Sequence, residues 1–179
     1  IGQVKFDNLL QLRGFDMNSD QMLAFGELSL QKEKRILEKI SRKIDSSASV
    51  QNVKDKIKSN HPANFEAALN VVKQTVKDAK QFVLNNDYAT IPEGEDLLVI
   101  ETPSYLKHLV PFAAYFSPAR FESSKVGIYI TTRQEEKDDS LNELNYASIS
   151  NTAVHEGYPG HHLQLTHNAL NPSLVRTLF

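Results

Sequence analysis

The sequence predicts an α+β fold that is mainly α-helical, with long helices followed by a small antiparallel sheet and a last helix that enters a histidine cluster. Apolar residues recur at helical spacing through much of the first 84 positions. Short β-branched and aromatic runs follow from residue 97. Three of the six histidines lie within residues 155–162. We therefore divide the 179 residues into a helical region, 1–90, and a region of sheet plus last helix, 91–179.

The first long helix can be capped by Asn18 or Ser19 and should end near Ser46. A short helix over about 50–59 follows it, and His61-Pro62 interrupts the helical pattern. The long helix is predicted from apolar residues that recur every seven positions, helped by Ile40: Leu23, Leu30, Leu37 and Ile44.

The second long helix should begin after Asn64 and run to Leu84, where Asn85-Asn86-Asp87 and Pro92-Glu93-Gly94-Glu95 mark a loop. Its spacing of apolar residues predicts one buried stripe. That stripe is expected to comprise Ala68, Val72, Val76 or Thr75, Ala79 and Val83.

Three strands are predicted over residues 97–101, 113–116 and 126–131, and they form the small antiparallel sheet. The charged run 133–139 is interpreted as a solvated loop. A helix should start near Ser140 and lead into the histidine cluster. The residues expected along it are Leu141, Leu144, Ala147, Asn151 and Val154.

The histidine cluster His155-Glu156-Gly157-Tyr158-Pro159-Gly160-His161-His162 has the residue types of a metal site. Imidazole is a common zinc ligand, and a Glu directly after the first ligand can take a proton from water on the metal. The spacing is longer than in His-Glu-x-x-His, where both histidines lie on one helix face. Zinc is the expected cofactor, although such ligands also bind iron, cobalt or nickel.

Pro159 occupies the fourth position after His155, where its ring clashes with the carbonyl of His155. The helix must therefore kink or restart near residues 157–160. In a continuous helix His161 would lie about 240° around the axis from His155, and His162 about 10.5 Å along it. We expect His155 and one of His161 or His162 to be ligands, with Glu156 as general base; helix geometry alone does not choose between the two.

The run 151–164 resembles the motif of the bacterial domain-of-unknown-function family 885, a group regarded as zincin-like metallopeptidases. Segments 100–103, 109–115 and 1–30 are also similar to that family, so the resemblance extends over essentially the whole chain. It implies a zincin-like metal-site helix and hydrolysis of a peptide or another small amide substrate. It also implies that the strand edge 127–132 positions substrate, with Gly127, Tyr129 and Thr131 as the candidate substrate-binding residues.

The same resemblance implies a third ligand, a Glu in a downstream Glu-Gly-Trp-Ala-like segment. The chain has no Trp, so we expect it to be a fragment whose third ligand comes from the remainder of its own polypeptide. A catalytic zinc normally has three protein ligands, and the fragment is therefore expected to be inactive alone.

Two alternatives to a zinc metallopeptidase stay open. One is a metal-dependent hydrolase of another amide or ester, because the same chemistry suits any acyl transfer. The other is a non-catalytic helical binding domain, in which the imidazoles only cap carbonyls at a polar helix end. His167 lies at helical spacing between Leu163 and Leu170, so packing is favoured over ligation for it.

Composition excludes several classes of partner. The net charge of −2 comes from mixed acidic and basic residues, which gives no basic field for nucleic acid. No apolar run reaches the roughly 20 residues of a membrane-spanning helix. The absence of Cys excludes disulfides and thiolate zinc ligands. Such a bacterial chain can be cytoplasmic or exported, and the sequence does not decide between them.

Overall fold

The computed structural model of the chain describes residues 2–121, 124–134, 141–173, 175 and 176. It divides into two compact units, Ile1–Asp55 and Lys56–Phe179. The helices α1 (Gln3–Leu12) and α2 (Ser19–Ile44) belong to the first unit, and α3 (Val50–Lys58) extends across the boundary. The second unit holds the other helices and the sheet, and it carries the histidine cluster.

The start of α2 confirms the predicted cap. The side chain of Asn18 accepts a hydrogen bond from the backbone N–H of Gln21 at 2.9 Å, and the Gln21 side chain accepts one from the N–H of Asn18. Together they satisfy two backbone donors that a helix start leaves unpaired. The repeated apolar residues of this helix are exposed: Leu23, Leu30, Leu37 and Ile44.

Helix α4 (Phe65–Asn85) begins after Asn64, as predicted, because the Asn64 side chain accepts a hydrogen bond from the N–H of Ala67. Most of its predicted stripe is buried, comprising Ala68, Val72, Val76 and Val83, and Ala79 packs against it partly buried. The stripe contacts the first strand and the helix that carries His155. This packing places α4 in the second unit, whereas the sequence had grouped it with the helical region 1–90.

The sheet contains β1 (Glu95–Glu101), β2 (Ala113–Phe116) and β3 (Lys125–Thr131), in the spatial order β1-β3-β2. β2 pairs with β3 antiparallel, but β1 pairs with β3 in parallel, with Glu95 opposite Lys125. The α+β, mainly helical class is confirmed, and the sheet is mixed rather than purely antiparallel. The chain reverses after β1 and again after β2, so β1 and β3 run in the same direction.

The prediction that 127–132 forms a strand edge is wrong for most of that segment. β3 lies between its two neighbours, with residues 128–131 paired to β2 and 125–131 paired to β1. The central position suits β3 because its side chains are apolar on both faces, and Tyr129 and Ile130 are both buried. An extended peptide therefore cannot add to β3 at residues 128–131.

The helix before the histidine cluster is α5 (Tyr146–Glu156), which starts later than the predicted Ser140. Asn145 begins it, because its side chain accepts a hydrogen bond from the N–H of Ser148 at 2.9 Å. Asn151 and Val154, two of the residues expected along this helix, are exposed. The buried residues of α5 are Ile149, Ala153 and Glu156.

The charged run 133–139 lies mostly outside the described residues, and only Arg133 and Gln134 fall within them. Arg133 forms ion pairs with Glu66 at 2.6 Å and with Glu101 at 3.3 Å. Its guanidinium also lies over the ring of Phe65, 4.3 Å from the centroid. Arg133 is thus held against α4 and the end of β1, and the solvated loop predicted for the rest of the run lies outside the described residues.

The core of the second unit lies between the sheet and helices α4, α5 and α6 (His161–Ala169). Within the described part of the chain, no helix is both long and apolar enough to cross a membrane. The fully buried members of the core cluster include Val72, Val83, Tyr129, Tyr158 and Ala153. Tyr158 lies in the break between α5 and α6, so this core includes part of the break itself.

Candidate functional site

The break between α5 and α6 shapes the candidate site. α5 ends at Glu156, Gly157 follows it, and α6 begins at His161, which confirms the predicted interruption at residues 157–160. The chain turns so closely on the end of α5 that a Cβ at Gly160 would overlap the carbonyl oxygen of His155. Only glycine fits at this position, so the turn requires Gly160 after Pro159.

The turn brings His155 and His161 together. Their ring centroids are 4.6 Å apart and the rings are nearly perpendicular, at 85°. His155 is exposed and His161 is half-buried, and both line an open depression with Pro159, Gly160 and Gln164. A continuous helix would have placed the two imidazoles on opposite sides of its axis.

His162, the other candidate ligand, points into the protein interior. Its side chain is fully buried, and both ring nitrogens have partners. Nε2 is hydrogen-bonded to the carboxylate of Glu95, and Nδ1 lies 3.0 Å from the hydroxyl of Tyr115. A neutral imidazole satisfies both partners when Nε2–H donates to Glu95 and Nδ1 accepts from Tyr115. Of the two adjacent histidines, only His161 lies beside His155.

Glu95 is the centre of a buried polar cluster. Its carboxylate accepts hydrogen bonds from His162 and from the hydroxyl of Tyr158, the latter at 2.6 Å, and it forms an ion pair with Lys80 at 2.5 Å. Burial alone would raise the pKa of Glu95, but the bonds from His162, Lys80 and Tyr158 outweigh it and lower this pKa to about 2. Glu95 is therefore ionised at neutral pH.

The sequence reasoning did not find this cluster. Glu95 had been assigned to a loop, and Lys80 had been given no role. In the structure burial raises the pKa of Tyr115 to about 12, and burial together with the adjacent Glu95 carboxylate raises that of Tyr158. The cluster joins residues 80, 95, 115, 158 and 162, and no local pattern reveals so distant a set of partners.

Glu156, the candidate general base, lies on the inner side of α5. It is 9% exposed, and it is not among the residues that line the depression of His155 and His161. Burial and then the negative charge of Glu156 raise the pKa of Tyr129 to about 12, while a bond to Thr131 opposes them. The carboxylate of Glu156 is thus near enough to Tyr129 of β3 to affect its ionisation.

The candidate substrate-binding residues lie on the face of β3 that packs under the helices. A Cβ at Gly127 would lie 2.5 Å from Nδ1 of His162, so this glycine makes room for the buried histidine. Tyr129 and Thr131 are each 1% exposed. Their role in binding substrate stays a prediction, and it would require access through the cavity that Tyr129 and Thr131 line with Thr152.

The remaining candidates have other partners. Nε2 of His167 lies 2.6 Å from the carbonyl oxygen of Thr90, so this exposed histidine has a backbone partner. Glu101 forms ion pairs with Lys107 and Arg133 at the end of β1. The hydrogen bonds from Arg133 and Lys107 lower the pKa of Glu101.

Over residues 2–179 the sequence matches the family described as "Bacterial protein of unknown function (DUF885)". The chain belongs to the DUF885 family. The predicted family is thereby confirmed. A comparison of this DUF885 member with curated proteins finds no match.

This DUF885 member is similar to the crystal structure of a candidate lipoprotein from Colwellia psychrerythraea. The TM-score is 0.68 at 19% sequence identity, and the similarity covers 94% of this chain. It covers 29% of that protein, so the chain spans less than a third of its length. At this identity the similarity shows a shared fold.

The histidine pair of this DUF885 member suits part of a metal site. The two imidazoles lie edge to face in an open depression, and imidazole is a common ligand in tetrahedral zinc sites. Among the residues that the structure describes, no group of three or more His, Cys, Asp or Glu side chains could hold a metal ion. The role of His155 and His161 as metal ligands therefore stays a prediction.

Proposed function

We propose that this DUF885 member is a zinc-dependent hydrolase that cleaves peptide bonds, with His155 and His161 as metal ligands and Glu156 as general base. The juxtaposition of the two imidazoles across the helix break carries the proposal. The break removes helical hydrogen bonds and so lowers the stability of the helix. A continuous α5–α6 helix would have separated these two rings. The glycine at position 160 is accounted for by the same turn.

The residues divide the chemistry between them. A zinc ion held by His155 and His161 would lower the pKa of a coordinated water towards about 7 and polarise a carbonyl group. Glu156 follows the first ligand directly, and it would take a proton from water and deliver it to the leaving amine. Iron, cobalt or nickel could occupy the same ligands.

The third ligand comes from another part of the polypeptide in this proposal. A catalytic zinc usually has three protein ligands and one open position, and the described residues provide two imidazoles. The similar solved structure is more than three times as long as the matched segment, so there is room for such a ligand in relatives of this length. The 179-residue chain alone should bind zinc weakly and be inactive.

Two other functions are distinguished by experiment. A hydrolase of another amide or an ester would use the same residues with a different substrate. A non-catalytic helical binding domain is favoured by one observation, the lack of a complete metal site among the described residues. In that case the imidazoles of His155 and His161 are only polar groups at a helix end.

The test measures zinc per chain by mass spectrometry in the full-length protein, purified without a histidine tag, together with hydrolysis of a mixed fluorogenic peptide library. We expect about one zinc per chain. His161→Ala should lose the metal, whereas Glu156→Gln should keep the metal and lose hydrolysis. His167→Ala is the matched control, since it removes another histidine from α6 and should change neither quantity.

Each outcome decides between the functions. Absence of metal in the wild-type protein would overturn the hydrolase proposal and leave the binding domain. Metal binding with cleavage of esters or small amides, but not of peptides, would keep the chemistry and reject the peptide substrate. Full activity in Glu156→Gln would reject Glu156 as the base.

A further inference from the structure

The two adjacent histidines at the start of α6 face opposite environments. His161 lies in the open depression beside His155, and His162 is fully buried with both ring nitrogens bonded. Both belong to the first turn of α6, so the backbone that carries one side chain carries the other. Contacts that hold the ring of His162 therefore also fix the start of α6, and with it the side of the helix from which the His161 side chain projects.

The partner that holds His162 is itself held from two further directions. Glu95, at the first position of β1, forms an ion pair with Lys80 of α4. It also accepts the hydroxyl hydrogen bond of Tyr158, which lies within the break between α5 and α6. One carboxylate thus connects β1, α4, the break and α6, and its side chain is only 1% exposed.

We propose that Glu95 is a positioning residue for the candidate site. By holding His162 and Tyr158 it sets the angle at which α6 follows the break, and this angle brings His161 to His155. Glu95 lies in the interior and is not among the residues that line the depression. Its effect on metal binding rests on the proposed function, but its effect on the spacing of the two rings does not.

The experiment uses the full-length protein and the variant Glu95→Gln, which keeps the shape of the side chain and removes its charge. The control is Glu93→Gln, the same change at an exposed residue in the preceding loop. The first readout is the nuclear Overhauser effect between the ring protons of His155 and His161 in metal-free protein. The second is the Kd for Zn²⁺, measured by competition with a chromophoric chelator. Circular dichroism confirms that each sample is folded.

We expect Glu95→Gln to lose the ring-to-ring signal while it stays folded and to raise the Kd for Zn²⁺ about tenfold. Glu93→Gln should match the wild type in both. Retention of the wild-type signal and affinity in Glu95→Gln would overturn the inference. If the wild type binds no zinc, the proposed function fails, and the ring-to-ring signal alone then decides on Glu95.

A second variant covers the case in which Glu95→Gln does not fold. Glu95→Asp keeps the negative charge but withdraws the carboxylate from His162 and Tyr158 by one methylene group. A weakened signal between His155 and His161 in this variant supports positioning through His162. An unchanged signal contradicts it.

Discussion

Gly127 of the central strand lies directly against the buried ring of His162. A Cβ at position 127 would be 2.5 Å from Nδ1 of His162 and 2.6 Å from the ring of Tyr115. Neither neighbour can move easily, because Nδ1 of His162 and the hydroxyl of Tyr115 are bonded to each other. The glycine is therefore required by the polar cluster rather than by its own backbone conformation.

Gly127→Ala should lower the free energy of unfolding by about 1–3 kcal/mol, the usual range for an added methyl group in a packed interior. Urea unfolding followed by circular dichroism measures the change. Gly26→Ala is the control, because a Cβ there would meet no atom within 4 Å and alanine favours a helix. Equal stability of Gly127→Ala and wild type would show that the cluster can rearrange.

Because Glu95 is ionised in the folded protein, the free energy of unfolding should fall as the solution becomes acidic. Its pKa falls from 4.5 to about 2 on folding, so the folded form binds this proton less readily than the unfolded chain does. The stabilisation is fully present above about pH 4.5 and is lost as the pH falls towards about 2. Its size is on the order of 3 kcal/mol.

Urea unfolding at a series of pH values between 2 and 6 should show this loss in the wild type. The slope should be smaller in Glu95→Gln, which has no carboxyl group to protonate at this position. Glu93→Gln should keep the wild-type slope. The same slope in all three proteins would mean that other carboxyl groups determine the acid sensitivity.

Gly160→Ala tests the helix break itself. The added methyl group would overlap the carbonyl oxygen of His155, so the turn must open and the two imidazoles must separate. We expect a loss of about 2–3 kcal/mol in stability and, under the proposed function, a loss of bound zinc. Zinc content and urea unfolding measure these effects, with Gly26→Ala as the control. Wild-type zinc content in Gly160→Ala would contradict the requirement for a close turn.

Asn145→Ala tests the start of α5. Asn145 is buried, and its side chain accepts from the N–H of Ser148 and donates to the carbonyl oxygen of Asn142 at 2.6 Å. Loss of the cap should cost about 1–2 kcal/mol. Asn64→Ala removes an exposed cap from α4 and should cost less. Equal unfolding free energies for the two variants would show that the bonds made by buried Asn145 add nothing.

The sequence predicted the features that depend on neighbouring residues. Asn18 and Asn64 cap helices within three positions of themselves, and Pro159 interrupts a helix at a fixed distance, so these points were read correctly. The family was also predicted correctly from the motif around His155.

The features that depend on distant residues were missed. The parallel pairing of β1 with β3 joins Glu95 to Lys125, thirty positions along the chain, and strand composition does not specify direction. The cap at Asn145 was missed because the charged run before it obscured the start of the helix. The partners of Glu95 come from three separate parts of the chain, and only the fold brings them together.

The break between α5 and α6 also allows the distance between His155 and His161 to change during evolution. In an uninterrupted helix the distance between two histidines is fixed by the helical pitch. Here His155 lies in the last turn of one helix and His161 begins another, and residues 157–160 determine the gap between them. A substitution in those four residues can therefore change the distance between the two imidazoles without changing either histidine or either helix.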